Sequence, residues 1–217
     1  MSLIGLKEIS FRYPNGNQVL EGLSLHLEEG DKIGLLGKNG TGKTTLFHII
    51  LGLLKPYKGE ISIFGKKRKT EQDFKKIRRS IGLLFQDSDD QLFCPSVIED
   101  VAFGPLNMGM THQEAKDRAE QTLEELGISH LRNRVPYQLS GGEKRLVSTA
   151  TILSMRPEIL LLDEPTTGLD EKTRERLISV LQNYPAKAWI MISQIRSTIE
   201  AMSNKYYKMN GGKVDLV

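Results

Sequence analysis

The sequence is poor in cysteine and aromatic residues, and it contains no long hydrophobic run. Its single cysteine, Cys94, excludes an internal disulfide framework and fits a reducing compartment. The longest apolar stretches, residues 159–162 and 188–192, are far shorter than the roughly 20 residues that a membrane-spanning helix needs. Because the first residues alternate between apolar and polar and do not form a signal peptide, we expect other chains to hold the protein at a membrane if it works there.

An excess of charge of one sign is also absent, since 30 basic residues stand against 27 acidic ones. The net charge of +3 neither requires nor excludes an anionic partner. The cations in residues 66–69 and 75–79 are interpreted as solvated surface, with contact to lipid headgroups as the alternative for the second group. The histidines lack the spacing of metal ligands, so we expect no zinc site at His26, His48, His112 or His130.

The order of strand and helix patterns predicts a single α/β domain over residues 1–217. The first part alternates as antiparallel strands do, and short apolar strands return near residues 159–162 and 189–192. Between them lies a strand-poor region with helix-capping signals. We therefore predict a P-loop α/β core of about residues 1–87 and 157–217, with an antiparallel β subdomain and a helical insert of about residues 88–156.

A phosphate-binding loop is the clearest chemical motif in the chain. Residues 37–44 match the P-loop pattern without a gap, with an apolar strand before them and an amphipathic helix after them. Glycines let successive N–H groups point at an anion, Lys43 can neutralise the outer phosphates, and the Thr44 hydroxyl can ligate Mg²⁺. The loop predicts ATP and Mg²⁺ as cofactors, with these contacts: Gly37, Lys38, Asn39, Gly40, Thr41, Gly42, Lys43, Thr44 and Thr45.

Two further motifs follow the P-loop. Residues 159–162 form an apolar strand that ends in Asp163 and Glu164; Asp163 can hold Mg²⁺, and Glu164 can orient and deprotonate the attacking water. The segment Leu-Ser-Gly-Gly-Glu at residues 139–143 has two interpretations. Ser140 and Glu143 form a capping box at a helix start, and the same helix end can bind an anion that belongs to a neighbouring subunit.

In this order, the P-loop, Leu-Ser-Gly-Gly and Leu-Leu-Asp-Glu-Pro-Thr-Thr-Gly-Leu-Asp (residues 161–170) resemble the nucleotide-binding domain of ABC transporters over essentially the whole chain. The resemblance implies an ATP-hydrolysing subunit at the cytoplasmic face of the membrane. Its implied partners are a second ATPase subunit, alike or different, and transmembrane coupling and substrate-binding subunits, with no nucleic acid.

The resemblance also implies roles for individual residues. Tyr13 stands where an aromatic ring stacks on adenine, and Gln86 stands where a glutamine links Mg²⁺ and the water to the helical insert. Asp170 stands at the dimer interface. The implied contacts with the γ-phosphate bound to the opposing subunit are Ser140, Gly141 and Gly142.

Residues 85–93 and 101–105 narrow the resemblance to the energy-coupling-factor group, which implies import of cobalt, nickel or a vitamin. Gln194 stands where the family has a switch histidine, and a glutamine can donate a hydrogen bond but cannot become a cation. We therefore assign Gln194, with Glu164, to the catalytic residues, and we expect slower ATP hydrolysis than in family members that have the histidine. Two alternatives remain open: a soluble ABC-class ATPase in translation or DNA maintenance, and a weakly hydrolysing regulatory subunit.

Overall fold

Two β-sheets form the framework of the computed structural model, which describes residues 2–217. The first sheet is antiparallel, with strand order β2-β1-β4-β5. Alternate residues of β2, including Leu23, Leu25 and Leu27, are buried, as expected for a sheet that covers a core with one face. The strands are β1 (Ser2–Arg12), β2 (Gln18–Glu28), β4 (Lys58–Ile63) and β5 (Lys66–Arg68).

The second sheet has the strand order β10-β9-β3-β8-β7-β6 and is parallel except for β10, which pairs antiparallel with β9. Every residue of β6, β7 and β8 is buried, as continuous apolar strands covered on both faces should be. The strands are β3 (Lys32–Leu36), β6 (Ile81–Leu84), β7 (Ile159–Asp163), β8 (Ala188–Ile192), β9 (Lys205–Asn210) and β10 (Lys213–Leu216).

Seven α-helices are present in residues 2–217. Three of them, α3 to α5, lie within residues 88–156, where the described chain forms no strand. The predicted α/β fold with an antiparallel β subdomain and a helical insert is therefore confirmed, whereas the limits of the insert stay a prediction. The helices are α1 (Lys43–Ile50), α2 (Glu71–Ile77), α3 (Val97–Asn107), α4 (His112–Glu125), α5 (Gly141–Leu153), α6 (Glu171–Asn183) and α7 (Arg196–Met202).

The parallel sheet separates two apolar clusters. Leu161 and Ile190 belong to the cluster that lies between the two sheets and includes α1, while their neighbours Leu162 and Trp189 belong to the cluster formed with the helical insert. This division follows from the alternation of side chains along a strand. Because both faces are covered, the loops at the carboxyl ends of β3 and β7 are the part of the core left free to bind ligands.

The helix α2 was not predicted from the sequence, which we interpreted only as basic surface there. It starts at a capping box in which Thr70 and Asp73 exchange hydrogen bonds, and it buries Phe74 and Ile77. Its seven residues are too few for a clear helical period. Within residues 2–217, no helix combines the length and the apolar composition needed to cross a bilayer.

Candidate active site

The P-loop connects β3 to α1, as its sequence context predicts. Gly40 and Gly42 have φ angles of 78° and 100°, which side chains disfavour, and a Cβ on Gly42 would lie 2.6 Å from Val19. The Lys43 ammonium donates to the carbonyl oxygens of Gly37 (2.8 Å) and Lys38 (2.9 Å). An ammonium has three N–H donors, so one remains for a ligand at the mouth of the loop.

Thr44 and Asp163 meet across the sheet. The Thr44 hydroxyl donates to Asp163 Oδ2 over 2.6 Å, although the residues are 119 positions apart. Asp163 is 2% exposed, and burial raises the pKa of its carboxyl group, opposed by the hydrogen bond from Thr44. Hydroxyl and carboxylate oxygens are ligands that Mg²⁺ prefers, so this pair fits the predicted metal.

Glu164 is held in an unusual backbone conformation directly after β7. Its φ angle is 50°, which is uncommon for a residue with a side chain and costs free energy. Its carboxylate accepts hydrogen bonds from the Thr167 hydroxyl (3.1 Å) and the Gln194 backbone N–H (3.3 Å). Glu164 is 5% exposed, so this buried carboxylate is held in a fixed direction beside Asp163.

Gln194 lies next to both the P-loop and Glu164. It follows β8, and its side-chain amide donates to Asn39 Oδ1 over 3.2 Å. Its backbone N–H contacts Glu164, as described above. The position that sequence counting assigned to the switch residue therefore lies at the site, and the side chain itself is exposed.

A cavity of about 410 Å³ joins the residues of the site. The hydroxyl groups of Tyr13 and Thr45 form a hydrogen bond of 3.0 Å at its edge. The remaining P-loop residues, which the structure describes, do not line this cavity, and the Thr41 hydroxyl donates within the loop to Lys38 O over 2.9 Å. Of the predicted site residues, these line the cavity: Tyr13, Asn39, Gly40, Gly42, Lys43, Thr44, Thr45, Gln86, Asp163 and Glu164.

The predicted Leu-Ser-Gly-Gly motif lies at the start of α5. Ser140 caps the helix, because its hydroxyl oxygen accepts from the Glu143 backbone N–H over 3.3 Å. In return the Ser140 hydroxyl and N–H donate to Glu143 Oε2 over 2.7 and 2.8 Å, and these bonds lower the pKa of Glu143. No atom lies within 4 Å of a Cβ built on Gly141, so its backbone is open to a ligand. Among the described residues, neither Ser140 nor the two glycines line the 410 Å³ cavity, although Gly141 lines an adjoining larger cleft with Thr44.

Arg145 is a site residue that sequence reasoning missed. It is 5% exposed, and its guanidinium donates to the backbone oxygens of Phe85 (2.6 Å) and Gln86. Burial lowers the pKa of Arg145, opposed by the nearby charges of Asp163, Asp87 and Glu164. The arginine thereby ties α5 to the segment that carries Gln86. A signal for this role was available in the sequence, because Arg145 falls among the apolar positions of α5 directly after the Leu-Ser-Gly-Gly motif.

We predict that Arg145→Met lowers the free energy of unfolding by about 1–3 kcal/mol, because it removes two hydrogen bonds from a buried, charged donor to backbone oxygens. Arg132→Met is the matched control. Arg132 is half exposed and pairs with Glu120 over 3.4 Å, so its loss should cost less than about 1 kcal/mol. Chemical denaturation measures both values. Equal losses in the two variants would contradict the assigned contact.

Comparison with known proteins identifies the family of the chain. The family described as ABC transporter matches residues 20–167, more than half of the chain. The energy-coupling factor transporter ATP-binding protein EcfA of Methanothermobacter thermautotrophicus is 42% identical over 215 residues, which cover 98% of this chain and 69% of that protein.

Two solved structures are similar over almost the whole chain. One is CbiO1 from Clostridium perfringens, part of the ABC transporter complex CbiONQ, with a TM-score of 0.85, 33% identity and coverage of 99% of this chain and 87% of the other. The other is the dimeric bacterial ABC transporter cassette MJ0796, with a TM-score of 0.90, 28% identity and coverage of 98% and 97%. The chain therefore belongs to the ABC transporter family and is an ATP-binding ATPase subunit, similar to EcfA and CbiO proteins.

Proposed function

We propose that ATP hydrolysis by this chain drives an energy-coupling-factor type importer of cobalt, nickel or a vitamin. The chain would lie at the cytoplasmic face of the membrane, held there by transmembrane coupling and substrate-binding subunits. The observation that carries the proposal is the fixed Glu164 carboxylate beside the Thr44–Asp163 pair and Lys43. The similarity to EcfA, an energy-coupling factor transporter ATP-binding protein, and to CbiO1, which is part of a transporter complex, supports the transport role.

The cavity residues suggest how ATP and Mg²⁺ are held. We assign the phosphates to the backbone N–H groups of the P-loop and to the Lys43 ammonium, and the adenine to the ring of Tyr13. Thr44, Asp163 and Gln86, which line the same cavity, would hold Mg²⁺. When bound, the metal neutralises charge on the phosphate oxygens. These roles fit the hard oxygen donors and the single free Lys43 donor described above.

Glu164 would act as general base. Its carboxylate accepts the proton of a water molecule while the water oxygen bonds to the γ-phosphorus, and the bond from that phosphorus to the ADP oxygen breaks. Hydrogen bonds from Thr167 and from the Gln194 backbone fix the direction of the carboxylate. Pre-orientation of the base lowers the entropy that the reaction must lose in reaching its transition state.

The second ATPase subunit would complete the site. The start of α5 offers free N–H groups at Gly141, and in the described structure the Ser140–Gly142 motif does not reach the cavity of its own chain. We therefore assign Ser140, Gly141 and Gly142 to the γ-phosphate bound by the opposing subunit. Residues 88–156 would then move as one helical subdomain when the dimer closes and opens.

We predict that Glu164→Gln reduces ATP turnover by at least about 10²-fold while ATP still binds, because the amide cannot accept the proton. Lys43→Ala should weaken ATP binding instead. The matched control is Glu175→Gln, an exposed position on α6. Turnover and ATP affinity are measured for all forms. If Glu164→Gln hydrolyses ATP at the rate of the parent chain, Glu164 is not the base.

Gln194 limits hydrolysis in this proposal. The neutral Gln194 amide has two N–H donors, and because one of them binds Asn39, one remains for the γ-phosphate. A histidine can instead acquire charge as the γ-phosphate leaves. We predict that Gln194→His raises turnover by roughly 10- to 10²-fold with little change in ATP affinity, since the gain belongs to the transition state.

The control for this prediction is Gln182→His, an exposed position near the end of α6. The effect should grow with protein concentration, because the site needs two subunits. Unchanged turnover of Gln194→His across concentrations would mean that position 194 does not limit the reaction. A turnover of the parent chain that stays near zero even with membrane partners would favour a regulatory subunit.

The transmembrane partner has a candidate docking groove beside the helical insert. Phe93 and Phe103 are 66% and 44% exposed, and their rings pack edge to face at 4.9 Å. They line a groove of about 280 Å³ that also contains Gln91. Gln91 hydrogen-bonds to Phe85 N (3.1 Å) and Ser148 O (2.8 Å), so the groove is connected to the Gln86 segment and to α5.

We predict that Phe93→Ser combined with Phe103→Ser lowers the fraction of the chain that copurifies with washed membranes, because apolar area at the interface is lost. ATPase activity without membranes should persist. Leu216→Ser, which changes a 68% exposed side chain on β10, is the control. Quantitative mass spectrometry of the bound transmembrane chains gives the readout. Undiminished recovery of those chains with the double variant would exclude this groove.

A further inference from the structure

The basic charge of the chain is concentrated in one segment. Residues 55–79 contain ten Lys and Arg residues and three Asp and Glu residues, whereas the whole chain has 30 and 27. This segment therefore carries a net charge of +7, and the other residues together are net negative. A near-neutral protein with such a separation presents a local positive field that the overall charge conceals.

The few acidic residues of this segment are already engaged. Glu60 pairs with Lys67 over 2.7 Å, and Glu71 pairs with Arg78 over 2.5 Å. Asp73 accepts hydrogen bonds at the start of α2. Within residues 2–217, seven cations of the segment are exposed and form no ion pair: Lys55, Lys58, Lys66, Lys69, Lys75, Lys76 and Arg79.

A cleft of about 550 Å³ lies among these cations, between the β4–β5 hairpin and α2. Its apolar lining includes Leu54, Ile61 and Phe74, and its basic lining includes Lys55 and Lys69. Apolar walls beneath lysine ammonium groups match an anionic headgroup that is attached to apolar chains. Water-soluble anions such as inorganic phosphate have no apolar group that could contact the apolar lining of the cleft.

The cleft adjoins the groove assigned above to the transmembrane partner. Leu51 and Leu53 line the groove, while Gly52, Leu54 and Lys55 from the same turn of chain line the cleft. Arg78 fastens α2 to this turn by donating to Leu51 O over 2.9 Å. A transmembrane chain seated in the groove would therefore bring the cleft and its lysines close to the bilayer surface.

We propose that this basic surface, formed by the cleft and the exposed side of α2, binds the headgroups of anionic phospholipids beside the transmembrane partner. Its orientation rests on the proposed function, whereas its affinity for lipid does not. Nucleic acid fits less well, because Phe74, the aromatic residue that lines the cleft, is 6% exposed, and the exposed ring of nearby Tyr57 is covered by the Arg12 guanidinium at 5.2 Å. The cleft and α2 therefore offer no free ring on which bases can stack.

The test is cosedimentation of the purified full chain with vesicles of phosphatidylcholine alone or mixed with phosphatidylglycerol. We expect binding to the anionic vesicles only, weakened by salt. Replacing Lys55, Lys69, Lys75 and Lys76 together by glutamine should weaken binding by roughly 600-fold, since each cation near the surface contributes about fivefold. The same four positions changed to arginine should retain binding.

The matched control changes four exposed lysines elsewhere to glutamine, with the same loss of charge: Lys116, Lys172, Lys208 and Lys213. Equal loss of vesicle binding in the control would show that only net charge matters and would overturn the proposal. Binding to a mixed-sequence oligonucleotide, without binding to vesicles, would assign the surface to nucleic acid and overturn it too. ATP turnover and recovery of the transmembrane chains test the proposed function separately, so either idea can fail alone.

Discussion

The hydrogen bond between Thr44 and Asp163 is the contact on which the rest of the site depends. It joins the first turn of α1 to the end of β7, across β8, which lies between β3 and β7 in the sheet. Lys43, adjacent in sequence to Thr44, and Glu164, adjacent to Asp163, are brought together by the same contact. Without the β3-β8-β7 order, the phosphate-binding loop and the carboxylates would lie at different parts of the sheet edge.

The site gathers buried charges of both signs, and each of them is costly alone. Burial raises the pKa of Asp163 and lowers the pKa of Lys43 and Arg145, so desolvation disfavours the charged form of each of these three groups. The charges partly offset one another because they lie close together. Burial of the two apolar clusters on either side of the parallel sheet offsets the free-energy cost of burying these charges.

The sequence predicted those parts of the site that follow from local rules. The P-loop is contiguous in sequence, and the carboxyl ends of parallel strands meet at one edge, so residues 37–44 and Asp163 could be placed together in advance. The contact of Gln194 with Asn39 spans 155 positions, and the angle between two side chains so far apart is set by packing. Arg145 was not predicted because its two acceptors are backbone oxygens, which every residue has and which no sequence pattern marks.

The segment after β6 is where these separate parts of the molecule meet. Its Phe85 N–H is held by Gln91 at the docking groove, and the carbonyl oxygens of Phe85 and Gln86 are held by Arg145 from α5. Gln86 also lines the cavity that contains Lys43. A shift of this segment toward a ligand would therefore strain its hydrogen bonds to Arg145 on α5 and to Gln91 at the groove. In the same way, a partner that moves Gln91 would move the segment that carries Gln86. The coupling through Arg145 is local and stiff, because this arginine is 5% exposed and its guanidinium would be left buried and unsatisfied if the bonds were lost.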